Sequence, residues 1–208
     1  PTKFPVQGSN GGGNSDAALV GLSADGLTLL FSSYLGGDDQ DEAYDVSVDM
    51  DGNPVFAGYS ASSGFPTKSP FQGSHAGGSH DAVVFGVNAS SKTLTFSSYL
   101  GGSRDDRANS VVVDRDGTLL VGGVTRAPDF PTVDPIGGHN VDHTDTFLSR
   151  VSADGTSLLF STYLGTTLDD EAFQIASNGS VVALGGQYYN TSTNGSEARI
   201  LAVRFLPD

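Results

Sequence analysis

The side chains best suited to chemistry in this 208-residue sequence are carboxylates gathered in short loops. Asp38, Asp39, Asp41, Glu42 and Asp45 place five of them within eight residues, and acids return at Asp105 and Asp106 and at Asp169, Asp170 and Glu171. Hard cations such as Ca2+ are held by about six to eight carboxylate, carbonyl and water oxygens. The first loop is therefore the candidate metal site, and Ca2+ is the one cofactor the residues suggest. The competing reading has each Asp accept backbone N–H groups where the chain turns. Return of the acids at one place favours it, because a structural need repeats and a specific site does not. Arg104 and Arg107 flank the second group, which reads as a local ion pair.

The other reactive residues point nowhere specific. Asp49, Asp51 and Gly52, like Asp114, Asp116 and Gly117, resemble the start of a calcium loop but lack its closing Glu, and read as hairpin turns. His139 and His143 are four apart, a ligand spacing only on a helix, and they lie in a Gly-rich loop; His75 and His80 match no ligand pattern. There is no Cys, no Gly-x-Ser-x-Gly and no phosphate loop, so no catalytic residue is assigned and the chain reads as a non-enzyme. Asn88, Asn178, Asn190 and Asn194 match the glycosylation sequon. The formal charge of −14 argues against a nucleic-acid partner. No apolar run is long enough for a membrane helix.

The elements that position these residues follow from an internal repeat. Phe31-Ser32-Ser33-Tyr34-Leu35-Gly36 returns around Tyr99 and Tyr163, spaced 65 and 64 residues apart. Phe65-Pro66-Thr67 returns as Phe130-Pro131-Thr132, and Asp49 to Gly52 as Asp114 to Gly117. Tyr44, Val46, Val48 and Met50 alternate with polar residues, the pattern of a half-buried strand with these side chains inward. A turn at Asp51-Gly52 and strands near 54–60, 81–88 and 94–100 complete the unit, and nothing has helical periodicity. Four antiparallel strands in about 65 residues make one blade of a β-propeller. The expected fold is thus all-β. Two outer strands (16–35) precede blades at 43–100 and 107–165 and an incomplete blade at 171–206, in all three blades plus one strand. The recurrent Tyr34, Tyr99 and Tyr163 are expected to pack against the next blade with the hydroxyl bonded at the rim, or else to offer stacking platforms for sugars.

Ser-Ser/Thr-Tyr-Leu-Gly-Gly, an Asp pair, a Val-x-Val-Asp strand, Asp-Gly and Phe-Pro-Thr together resemble the SBBP β-propeller repeat family over nearly the whole chain. The resemblance implies a secreted or surface-attached repeat module and no shared catalytic residue. The third unit departs from it: Ile175 to Gly179 lacks the Val-Asp ending, and a polar insert at 188–196 replaces Phe-Pro-Thr. Both ends fall inside repeats, and three blades do not comfortably close. The expected partners are therefore other copies, or the remainder of a longer chain, pairing through edge strands, with surface glycans as a further candidate. The expected function is a non-catalytic extracellular structural, adhesion or assembly module. The alternatives are a carbohydrate- or Ca2+-dependent ligand-binding propeller and a propeller enzyme such as a lyase.

Overall fold

The computed structural model describes residues 2–137, 143–165, 168–179, 181–190 and 195–203, with side chains through residue 187. Thirteen strands form among them, and no helix. Strands β1 (Ala17–Leu22) and β2 (Leu29–Leu35) make a two-stranded sheet. Strands β3 (Asp41–Val48), β4 (Pro54–Ser60), β5 (Asp81–Asn88) and β6 (Thr93–Leu100) make a second sheet in chain order. Strands β7 (Asp106–Val113), β8 (Leu119–Thr125), β9 (Asp145–Val151) and β10 (Leu158–Leu164) make a third. Strands β11 (Asp170–Ser177), β12 (Val182–Asn190) and β13 (Gly195–Val203) make the fourth. Every neighbouring pair is antiparallel.

Local chemistry explains the hairpins. Asp49 Oδ1 accepts the N–H groups of Asp51 and Asn53, while Gly52 takes φ +82°, where a Cβ would be strained. The first strand of the second, third and fourth sheets carries one extra residue, at Tyr44, Asn109 and Phe173. Each bulge faces a glycine on the next strand: Gly58, Gly123 and Gly186. There the preceding carbonyl (Glu42, Arg107, Glu171) occupies the space a side chain would need.

The sheets stack on their apolar faces, and the core is divided among three junctions. Leu19, Phe31 and Leu35 of the first sheet meet Val83, Phe85 and Tyr99 of the second. Val55, Val84 and Leu100 meet Val111, Val121, Phe147 and Tyr163 of the third. Leu120 and Leu148 meet Ile175, Val182 and Leu184 of the fourth. Strands β4 and β5 are buried along nearly their whole length because both faces are covered.

Two expectations are corrected. Tyr44, Val46, Val48 and Met50 were expected inward, yet they are 46, 52, 59 and 93% exposed. Val46 is equivalent to Val111, which is 2% exposed because β3 and β4 lie in front of it. The first sheet offers no such strands, and Met50 belongs to the turn. The polar insert at 188–196 was expected as a loop. Instead β12 and β13 extend their ladder through Tyr188↔Glu197 to Asn190↔Gly195, so pairing continues where the other units leave the sheet.

Candidate functional site

The five carboxylates of the first loop do not converge. Asp38 Oδ1 accepts from Gly64 N, and Asp39 Oδ1 from Gln40 N. Asp41 Oδ2 accepts from Gly37 N (2.7 Å) and Ser62 Oγ (2.8 Å). Glu42 takes the Gln40 amide, and Asp45 Oδ2 reaches to the third sheet, where Ser110 Oγ (2.7 Å) and Val111 N (2.9 Å) donate to it. Among the described residues, no three His, Cys, Asp or Glu side chains gather where they could hold a metal ion. The Asp side chains act here as acceptors for turns and for the next sheet.

What the structure brings together instead is one aspartate from each side of every junction. Asp16 and Asp41 flank Gly36, Asp81 and Asp106 flank Gly101, and Asp145 and Asp170 flank Gly165. A Cβ on Gly101 would lie 2.8 Å from Asp81 Oδ1 and 2.7 Å from Asp106 Oδ2; on Gly36 it would lie 2.6 Å from Asp16 Oδ1 and 2.7 Å from Asp41 Oδ2. The glycine after Tyr-Leu is thus what lets the two carboxylates approach. Asp41, Asp81 and Asp106 are wholly buried. In each, Oδ2 takes a short turn N–H, from Gly37, Ala76 and Gly102 respectively. Oδ1 of Asp16, Asp41, Asp81 and Asp106 finds no hydrogen-bond partner among the described residues.

Such burial penalises ionisation. Burial, reinforced by Asp105 and Asp129 and opposed by the Ala76 N–H and His75, raises Asp81 to about 6. Burial again, with the charges of Asp81 and Asp105, raises Asp106 to about 7 against the Thr125 and Gly102 donors. Asp41 moves the same way for the same first reason. The sequence showed Asp41 and Asp106 as members of loops. The pairing was hidden because Asp16, Asp81 and Asp145 stand far along the chain from their partners; their recurrence before each third strand was the available signal.

The repeated tyrosines hold loops. Tyr99 Oη donates to Ser62 O and accepts from Phe65 N (3.1 Å), and Tyr163 Oη donates to Ala127 O (2.8 Å) and accepts from Phe130 N (2.9 Å). Their rings lie in the junction with the preceding sheet, whereas the sequence reading set them against the following one. The physical reason is strand alternation: Leu100 and Leu164, one residue on, take the opposite face. At 1 and 4% exposure, Tyr99 and Tyr163 offer no stacking surface, and Tyr34 is 37% exposed. Phe65 and Phe130 pack edge-on against these rings, and the carbonyls of Pro66 and Pro131 accept from Ser97 and Ser161. The chain beyond then bridges the outermost strand at Lys3↔Ser32, Lys68↔Ser97 and Val133↔Ser161, shielding its edge. Tyr99→Phe leaves a buried carbonyl and N–H without their shared partner. It is expected to cost about 1–3 kcal/mol, read as a lower thermal midpoint, while Tyr34→Phe changes nothing measurable.

A cluster that breaks the repeat was missed. Tyr44, Tyr59 and His80 pack in series as tilted ring pairs at 5.6 and 4.8 Å, and the Arg107 guanidinium lies 5.3 Å over Tyr59. Arg107 Nε donates to His80 Nε2 at 2.8 Å, so that nitrogen is an acceptor and the ring is neutral. Burial and then Arg107 hold the His80 pKa down, and burial holds both phenols up. His80 Nε2 is already engaged and the phenols keep their protons, so the group stiffens the junction and is not poised for proton transfer. Arg107 therefore serves His80, and the ion pair of Asp105 is with Arg126 at 3.9 Å.

His143 stands 3.7 Å from Asp169, and His139 lies outside the described residues. Asn88 Oδ1 accepts from Ser90 and Ser91 N–H, and Asn178 Oδ1 from Val181 N–H, so both sequon residues shape turns. The Asn190 side chain and Asn194 lie outside the described residues. No protein-family model matches the chain, and no curated protein matches it.

Proposed function

We propose that the four sheets are successive blades of a β-propeller of the SBBP repeat type, and that the chain is a non-catalytic extracellular structural, adhesion or assembly module. The observation that carries this reading is the sameness of the three junctions. Each has an aspartate pair over a glycine, and each buries the corresponding faces of two sheets. The polar link between first strands also recurs: Asp45 accepts from Val111 N, and Ser110 from Ile175 N. A junction repeated so closely relates each sheet to the next by a similar step, as blades about an axis would be related. Its groups are used in holding neighbours, as a scaffold requires. Electron microscopy of the purified chain is expected to show blades arranged radially, as an arc or a ring. Sheets in an unrotated linear stack would overturn the propeller.

A second reading, a Ca2+-dependent module, draws support from the buried carboxylate oxygens left without partners at Asp16/Asp41 and Asp81/Asp106. An ionised pair would meet a cation with two negative charges, leaving carbonyls and water to complete the shell. This relocates the candidate from the first loop to the junctions.

A further inference from the structure

We propose that a cleft at the third sheet, lined by Arg104, Arg126, His143, Thr144 and Asp169, binds an acidic sugar, with the sugar carboxylate on the two arginines and a neighbouring hydroxyl on Asp169. The inference goes beyond the blade reading and stands without it, because every one of these side chains belongs to the third sheet or to the loops entering and leaving it.

The cleft has a volume of about 340 Å³, within the range of about 300–1,000 Å³ in which small-molecule sites fall. Its walls come from four places in the chain. Arg104 lies in the loop between β6 and β7, Arg126 directly follows β8, His143 and Thr144 precede β9, and Asp169 precedes β11. Two of these residues break the repeat. Arg104 stands where the first loop has Asp39, and Arg126 where the preceding unit has Ala61. The backbone agrees with that match: Ala61 N donates to Gln40 O as Arg126 N does to Asp105 O. The fold makes the same turn without a cation, so the arginines serve something other than the repeat.

The geometry leaves their charge for a ligand. Arg126 Nε donates to Thr144 Oγ1 at 3.1 Å, which fixes the guanidinium. Its side chain is 61% exposed, and its ion-pair partner Asp105 Oδ2 is 3.9 Å from Nη1, beyond hydrogen-bond distance. Among the described residues the two terminal nitrogens thus make no hydrogen bond, and they form a fork that fits a carboxylate. The acids nearby are committed to loops. Asp105 Oδ1 takes the Ser79 N–H at 2.6 Å. Asp129 Oδ1, in whose field Arg104 lies, takes the N–H and the hydroxyl of Ser103, both at 2.8 Å. The chain carries −14 overall, but at physiological salt exposed charges more than about 8 Å away are largely screened, so the local pattern decides.

One carboxylate lines the cleft. Asp169 Oδ1 accepts from Thr144 N at 2.7 Å and stands 3.7 Å from His143 Nδ1, which leaves Oδ2 as an acceptor. A bare sulfate would meet that charge and be repelled. A ligand with a carboxylate for the arginines and a hydroxyl for Asp169 satisfies both, and a uronic acid carries the two groups side by side.

The test follows the Thr144 amide by NMR in the whole isotope-labelled chain, with D-glucuronate as probe and D-glucose and inorganic sulfate for comparison. Glucuronate is expected to shift that amide saturably, and glucose and sulfate to bind about tenfold more weakly or worse. Arg126→Gln should weaken glucuronate about tenfold, the loss of a charge-assisted hydrogen bond. Its side chain is exposed, so that variant folds, and Arg104→Gln should act in the same direction. Arg115→Gln removes an equal charge from the exposed β7–β8 turn and should leave binding unchanged. Asp169→Asn keeps an oxygen for the Thr144 N–H and should raise sulfate to the affinity of glucuronate, which loss of a merely structural side chain would not do. No saturable shift, glucose binding as tightly as glucuronate, or undiminished binding by Arg126→Gln would each overturn the site. Continued rejection of sulfate by Asp169→Asn would overturn the hydroxyl contact. Failure here leaves the blade reading to the microscope, and a linear stack there leaves this site standing.

Discussion

Gly58→Ala is expected to abolish or nearly abolish the folded state, at a cost of about 3–5 kcal/mol in a protein whose whole stability is of order 5–15 kcal/mol. Gly58 sits opposite the bulge at Tyr44, where the extra residue tips the Glu42 carbonyl onto the Gly58 Cα. A methyl there overlaps backbone on the neighbouring strand, and no rotamer change relieves it. Gly58 also lies in a strand buried on both faces, so β4 cannot lift away without opening two junctions. Gly123→Ala meets the Arg107 carbonyl in the same way and should behave alike. Gly185→Ala, in β12 with nothing near the added carbon, is the control and should be tolerated to within about 1 kcal/mol. Chemical denaturation of the three variants measures this. A Gly58→Ala midpoint equal to that of Gly185→Ala would show that the bulge has slipped and the clash is avoidable.

The same glycines show how far the sequence could be read. The spacing of Tyr34, Tyr99 and Tyr163 and of the Asp-Gly turns locates all thirteen strands to within a few residues, because repeat and turn chemistry are local. Gly58 marks a close backbone approach on its own. Which carbonyl approaches depends on the bulge, and a one-residue bulge leaves no trace in a strand that already alternates. Facing was harder. Val46 and Val111 hold the same place in the repeat, and the presence of a sheet in front separates 52% from 2% exposure. The acidic loop misled for a similar reason. Proximity in sequence gathered Asp38 to Asp45 into one site, but the extra residue at Tyr44 breaks the two-residue alternation between Asp41 and Asp45. Asp41 turns to Ser62 while Asp45 crosses to Ser110. The pairing of Asp81 with Asp106 needs two sheets and a glycine between them.

That pairing yields the second large effect, on pH. Asp81 and Asp106 titrate near 6 and 7 in the folded chain and near 3.9 when unfolded. The folded state therefore holds protons that the unfolded state has released. By linkage, stability is fully present below about pH 4 from these groups and is lost as pH rises through 6 and 7. The loss is of order several kcal/mol, because each tenfold difference in proton affinity between the folded and unfolded chain is worth about 1.4 kcal/mol. His80, held neutral by burial and Arg107, works the other way below about pH 6.5 and takes back part of this loss, whereas Asp25 and Asp154, shifted down by Ser23 and Ser152, are fully exposed and change charge below this window. The thermal midpoint should thus be higher at pH 5 than at pH 8. Asp106→Asn, which keeps an oxygen for the Gly102 N–H and carries no charge, should flatten that difference. Calcium provides the discriminating arm. If the ionised pair is a cation site, millimolar Ca2+ restores at pH 8 what deprotonation removed, EDTA reverses it, and nothing changes at pH 5, where protons already fill the pair. If Ca2+ has no effect at pH 8 while the pH dependence stands, the junction binds a proton and not a metal. A midpoint independent of pH from 5 to 8 would mean that water reaches the unpaired oxygens of Asp81 and Asp106 and solvates both charges.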